Sequence, residues 1–119
     1  MRIPGPDHPI TIAPKSGRVI VRLGGVVVAD SEAALELREA NYPPVLYIPR
    51  GDWIGAHYHR TTHHSHCPYK GDASYFDLEA GGRRAENAVW SYENPFPAMA
   101  EIKDHVAFYP DKVEITVEA

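Results

Sequence analysis

"RVIVRLGGVVVAD", residues 18–30, decides the fold class. Its two arms are rich in valine and isoleucine, whose branched Cβ is stiff in a helix but fits a pleated surface. Between the arms, Gly24-Gly25 supplies the positive φ angles that a two-residue hairpin turn requires. The stretch therefore predicts two antiparallel strands, over residues 18–23 and 26–30.

A second hairpin is expected downstream. "ASYFDLE" (73–79) and "ENAVWSY" (86–92) flank "AGGRRA". Alternation sends Phe76 and Leu78 to one face and Tyr75 and Asp77 to the other, and it groups Ala88, Trp90 and Tyr92 on one face. "VLYI" (45–48) reads as a short buried strand and "VAFY" (106–109) as another. "KVEITVE" (112–118) alternates cleanly, which predicts Val113, Ile115 and Val117 facing inward.

Helical signals are few. Asp30 or Ser31 can cap a segment whose first turn holds Glu32. "EAALELREA" (32–40) then reads as a short helix with Ala33, Leu37 and Ala40 on its apolar face, stopped by Asn41 and Pro43-Pro44. "PAMAEIKDH" (97–105) suggests a helical turn after Pro97. Residues 1–16 hold four of the eleven prolines and read as an irregular arm, and "RGDWIGAHYHRTTHHSHC" (50–67) reads as a long polar connection. About seven short strands with one or two short helices predict a mainly β chain, a small antiparallel sandwich or open barrel.

The 119 residues are expected to form a single domain, 1–119. A net charge of −4 and no basic cluster longer than Arg83-Arg84 argue against a nucleic-acid surface. No apolar run nears the roughly 20 residues that span a bilayer, so no membrane is expected as a partner. With one cysteine, an N-terminal stretch unlike a signal peptide and no disulfide framework, the expected location is cytoplasmic. A homo-oligomer stays open.

The chemistry gathers in "THHSHCPYKGDASYF" (62–76). Pro68 fixes the backbone after Cys67 and Gly71 can take φ > 0, so "CPYKG" can form a tight turn presenting Cys67 and Lys70 together. A thiol becomes a good nucleophile beside a cation. The catalytic candidates are therefore Cys67, Lys70 and His66; the competing reading is a buried cysteine in a structural turn. Arg50, Tyr69, Tyr75, Trp90 and Tyr92 are ligand-binding candidates, Arg50 for an anionic group and the aromatic residues for a pocket wall. Core packing competes for the aromatic set, Trp90 above all. His57 and His59, two apart on a strand, could chelate one ion with His64 or its neighbours, which makes zinc a possible cofactor. The histidines read equally as a solvated loop.

"CPYKGDASY", "AVWSYENP" and "VAFYPDKV" also occur, in this order, in the family known as domain of unknown function 427. The chain resembles that family over roughly residues 16–118, and the family also carries a nucleotidyltransferase-type label. The resemblance implies a small, mainly β single domain. It makes Cys67, Tyr69, Lys70, Gly71, Ala73, Tyr75, Trp90, Tyr92, Pro95, Ala107, Phe108 and Tyr109 motif positions and places Arg50 in a "YIPR" motif. It brings no established reaction. Nucleotide transfer needs carboxylates for Mg²⁺ and a phosphate-binding loop. Here "LGGVV" joins two strands rather than opening a helix, and Asp52, Asp72 and Asp77 have no diagnostic spacing. Residues 61–66 are richer in histidine than the family pattern, so a metal site does not follow from the resemblance.

Three functions fit: a cleft centred on Cys67 and Lys70 that binds or transforms a small molecule, a non-catalytic module binding a ligand or partner, and a histidine-rich metal module.

Overall fold

The computed structural model describes residues 1–119 as ten strands: β1 (Ile10–Pro14), β2 (Arg18–Leu23), β3 (Val26–Ser31), β4 (Leu35–Glu39), β5 (Val45–Pro49), β6 (Tyr58–Cys67), β7 (Gly71–Ala80), β8 (Arg83–Ser91), β9 (His105–Phe108) and β10 (Glu114–Glu118). Seven form one sheet in the order β1-β4-β5-β9-β8-β7-β6, and three form a second in the order β10-β2-β3. Every pairing is antiparallel. This is a small β-sandwich, and neither sheet closes into a barrel.

Both predicted hairpins form. Gly24 and Gly25 (φ 57° and 81°) turn β2 into β3, and Gly81 and Gly82 (φ 58° and 72°) turn β7 into β8. The two turns stand back to back. A Cβ on Gly81 would lie 2.4 Å from the Gly24 carbonyl oxygen, so the contact exists only between glycines.

The three-stranded sheet covers one face of the large sheet. Val19, Val21 and Val28 meet Ile48, Phe76, Leu78, Val89, Val106 and Phe108 there, all buried. Alternation then dictates the composition of the other face: next to Ile48 is Tyr47, next to Phe76 is Tyr75, and between Val106 and Phe108 is Ala107. That second face has no sheet over it. Its cover is the 3₁₀ turn Pro97–Ile102, which buries Met99 and Ile102 against Leu37, Tyr47, Tyr75 and Tyr92. The turn falls where the sequence placed one, but it covers only part of the face.

Several expectations are corrected. Residues 35–39 are a strand, not a helix: β4 pairs with β1 on one side and β5 on the other. Leu35 and Leu37 fit a period of two while Ala33, Leu37 and Ala40 fit one near 3.6, and two waiting sheet edges decide between them. The irregular arm is shorter than expected, because residues 10–14 form β1 at the sheet edge. The polar stretch ending at Cys67 contains the ten-residue strand β6. β6 is an edge strand, with almost every residue exposed or half-exposed, so it carries no hydrophobic signature. Ala88 joins the first cluster, whereas Tyr92 and the half-buried Trp90 belong to the second. The β7–β8 register shifts between Phe76 and Leu78, and Asn87 takes φ 48°, which breaks the alternation. Val117, expected inward, is 46% exposed near the end of β10.

Candidate functional site

Cys67 closes β6 and Gly71 opens β7, so "CPYKG" is the turn between two paired strands. Gly71 takes φ 114°, the Phe96 N–H donates to the Lys70 carbonyl at 3.0 Å, and the Arg2 N–H donates to the Pro68 carbonyl at 2.7 Å. The turn is thus tied down from both sides. It directs the Lys70 side chain onto the second face, where the residue is only 8% exposed.

A buried ammonium needs a counter-charge. Glu39, at the end of β4, supplies it: Lys70 Nζ donates to Glu39 Oε1 at 2.5 Å. Lys70 Nζ also lies 3.6 Å from Cys67 Sγ. The other Glu39 oxygen is 2.7 Å from His8 Nε2, and the His8 ring stacks on Tyr69 at 4.1 Å with planes 5° apart. Burial pushes the Glu39 carboxyl up, but the hydrogen bonds from Lys70 and His8 together outweigh it and hold it below the ordinary carboxylate value.

Beside this ion pair the uncovered face leaves a cavity of about 220 Å³. Tyr42, Tyr47, Tyr75, Trp90, Tyr92 and Tyr109 form most of its wall, with Leu37 and Val45 among the aliphatic side chains and Lys70 and Glu39 at its polar end. Trp90 meets Tyr109 at 4.6 Å between ring centres and crosses Tyr47 at right angles, its Nε1–H donating to Tyr47 Oη at 3.3 Å. Tyr75 Oη is 2.8 Å from Ser65 Oγ. Burial raises the phenols of Tyr47 and Tyr92 well above their ordinary value and pushes Tyr109 up to about 12, with Tyr75 adding to the Tyr109 shift. These hydroxyls stay protonated at neutral pH, so the wall offers neutral donors and acceptors around flat apolar surfaces.

The structure thus brings Lys70, Tyr75, Trp90 and Tyr92 to one cavity, with Cys67 behind Lys70. It places the other candidates elsewhere. His66 is next to Cys67 on a strand and therefore points to the opposite side, where it is exposed and its Nδ1 lies 2.7 Å from Asp72 Oδ1. Tyr69 stands outside the cavity against His8. Arg50 belongs to the first face: it lies over the Trp53 and Phe76 rings and donates to Glu93 at 2.9 Å and Ser91 at 2.9 Å. Glu93 also takes two hydrogen bonds from Arg60, both 2.8 Å. This Arg50–Glu93–Arg60 cluster fastens the segment after β8 to β6 and to the 3₁₀ turn that follows β5.

The histidine set does not assemble either. His57 lies in a 3₁₀ turn before β6, not on a strand with His59, and its Nδ1 is 3.0 Å from the Glu79 carbonyl oxygen. His59 and His64 are exposed on β6, separated by the register shift between Arg60 and His64. Nowhere do three His, Cys, Asp or Glu side chains converge as a metal site would need.

Glu39 and His8 are the polar members that sequence reasoning missed, and Tyr42 and Tyr47 the aromatic ones. Read with a period of two, "LEL-RE" would have put Leu35, Leu37 and Glu39 on one face and exposed the carboxylate's position. His8 carries no local signal, because its partner lies 31 residues away.

The sequence profile of a family described as a domain of unknown function (DUF427) matches residues 11–119. The chain belongs to this family. The match takes in every cavity residue and both members of the Lys70–Glu39 pair, but begins after His8. No curated protein matches the DUF427 chain.

Proposed function

We propose that this DUF427 domain binds a small flat molecule in the aromatic cavity on the uncovered sheet face, with Lys70 and Glu39 as its polar contacts. The observation that carries this reading is the pairing of a half-enclosed aromatic wall with a largely buried ion pair at one end. Ligand sites combine apolar walls with a few fixed polar groups in this way. A volume of about 220 Å³ suits a ligand of one or two rings. Such a ligand gains from offset stacking on Tyr75 and Trp90 as well as from burial.

Cys67 adds a second reading at the same place. Its sulfur stands behind the Lys70 ammonium, so its thiol could add across an activated double bond of a bound ligand, the sulfur bonding to one carbon and the S–H proton passing to the other. Binding is the primary reading because the cavity is lined by Lys70 itself, whereas the sulfur lies one residue layer away.

The test uses phenol and indole as neutral ring probes, followed by ¹H–¹⁵N spectra. Binding should perturb β5, β8 and the Cys67–Gly71 turn. Val45→Phe, which fills the cavity from β5, should abolish it while leaving the fold intact. Spectra unmoved by either probe, or moved equally in Val45→Phe, would refute the reading.

A further inference from the structure

The polar end of the cavity is completed by a residue from outside the family match. Its charges are Lys70 and Glu39, 2.5 Å apart, and His8 on the far oxygen of Glu39 at 2.7 Å. His8 is held in place by its own segment: Gly5 and His8 bridge each other, the Arg2 N–H donates to the Pro68 carbonyl, and the imidazole lies flat on Tyr69 with Tyr42 at its edge. Residues 1–9 are therefore a strap laid across the turn that carries Cys67 and Lys70.

We propose that the cavity takes a ring bearing an anionic group, and that His8 is the specificity-determining residue that admits the anion. The proposal rests on the reading of the cavity as a binding site. With His8 neutral, the Lys70 ammonium is balanced by Glu39 and the polar end has no net charge to offer. With His8 protonated, Glu39 is shared between two cations, and Lys70 has positive charge left for a carboxylate placed in the cavity. The groups facing His8 are Glu39 from β4, Tyr69 from the β6–β7 turn and Tyr42 from the β4–β5 loop, with Lys70 behind Glu39. Of these, only Glu39 and Lys70 are charged at neutral pH. Protonation of His8 is what adds that charge, so anion binding should strengthen as pH falls.

Benzoate and its neutral isostere benzamide test this in the full chain by calorimetry between pH 8 and pH 5.5. Benzoate affinity should rise at least tenfold over the interval, the size one added charge within about 12 Å gives at an effective dielectric near 20, while benzamide affinity stays level. His8→Gln keeps a hydrogen-bond donor for Glu39 but cannot charge. It should flatten the benzoate profile, a loss of slope that a merely structural role for His8 would not produce. A benzoate profile that keeps its slope in His8→Gln overturns the assignment of His8 while leaving the binding site standing. Benzamide bound as tightly as benzoate at pH 5.5 overturns the anionic preference. Neither probe binding at any pH overturns the binding site and this inference with it.

Discussion

Lys70 Nζ donates to Glu39 Oε1 across 2.5 Å, joining the turn after β6 to the end of β4, and the two side chains are 10% and 14% exposed. An ion pair so far from water is held by its partners' mutual satisfaction, since each charge alone would cost more to bury than the pair returns. The pair also ties the sheet's β1-β4-β5 end to its β8-β7-β6 end across the aromatic face.

Removing one member should therefore hurt more than removing both. Lys70→Met is expected to lower stability by about 2–4 kcal/mol at pH 7, because Glu39 keeps its charge with only His8 to meet it. The double variant Glu39→Leu/Lys70→Met should recover most of that loss. Urea unfolding of the two variants and the parent measures it; a double variant no more stable than Lys70→Met would contradict this account.

A second prediction concerns acid. The hydrogen bonds from Arg60 outweigh the opposing effect of burial, and those from Arg50 add to them, holding the Glu93 carboxyl down to about 2. A carboxyl with a depressed folded pKa contributes stability that is complete above its unfolded value, near 4.5, and is lost as pH falls from there toward 2. Glu93→Gln should be less stable than the parent by about 1–2 kcal/mol at neutral pH, after allowing for solvent screening. The gap should close between pH 4.5 and 2. Melting temperatures across pH 2–7 test this, and a gap that stays constant with pH would count against it.

The back-to-back hairpins give a third. Gly81→Ala must place a methyl carbon against the Gly24 carbonyl, at 2.4 Å, in a backbone conformation that disfavours any L side chain. Gly82→Ala has the same conformational penalty but open space around it. The expected losses are about 1 kcal/mol for Gly82→Ala and more than ~2 kcal/mol for Gly81→Ala. Equal losses would show that the turns do not touch in solution.

How much of this was legible in the sequence follows from what each residue depends on. Hairpin turns are local, so Gly24-Gly25 and Gly81-Gly82 announced themselves, and with them the antiparallel class. Strands β7 and β9 showed their buried faces by composition. β4 misled because Ala33, Leu37 and Ala40 share a helical face while Leu35 and Leu37 share a strand face, and only its neighbours β1 and β5 choose between the two periods. β6 was invisible because an edge strand with little buried surface has no apolar pattern to show. At the site, Cys67 and Lys70 were readable since a four-residue turn joins them. Glu39 and His8 reach that turn from 31 positions before Lys70 and 31 before Glu39, and no local pattern encodes such a meeting. Sequence adjacency suggested His66 as the partner of Cys67; on a strand, adjacency means opposite faces.

That last contrast yields the most direct experiment on the thiol. If Cys67 is influenced by Lys70 across 3.6 Å and not by His66, alkylation kinetics must separate the two. Iodoacetamide modification of the folded protein, followed from pH 5 to 10, should be the same in His66→Gln as in the parent, because His66 is exposed beside Asp72 on the other side of the strand. Lys70→Met should slow modification several-fold at neutral pH, since it removes the cation within reach of the sulfur and thiolate is the reacting form. The opposite pattern, a profile moved by His66→Gln and untouched by Lys70→Met, would mean that the turn opens in solution and presents Cys67 toward β6's exposed face. Equal profiles in all three proteins would leave Lys70 as a partner of Glu39 alone, and the cavity as a binding site without a nucleophile.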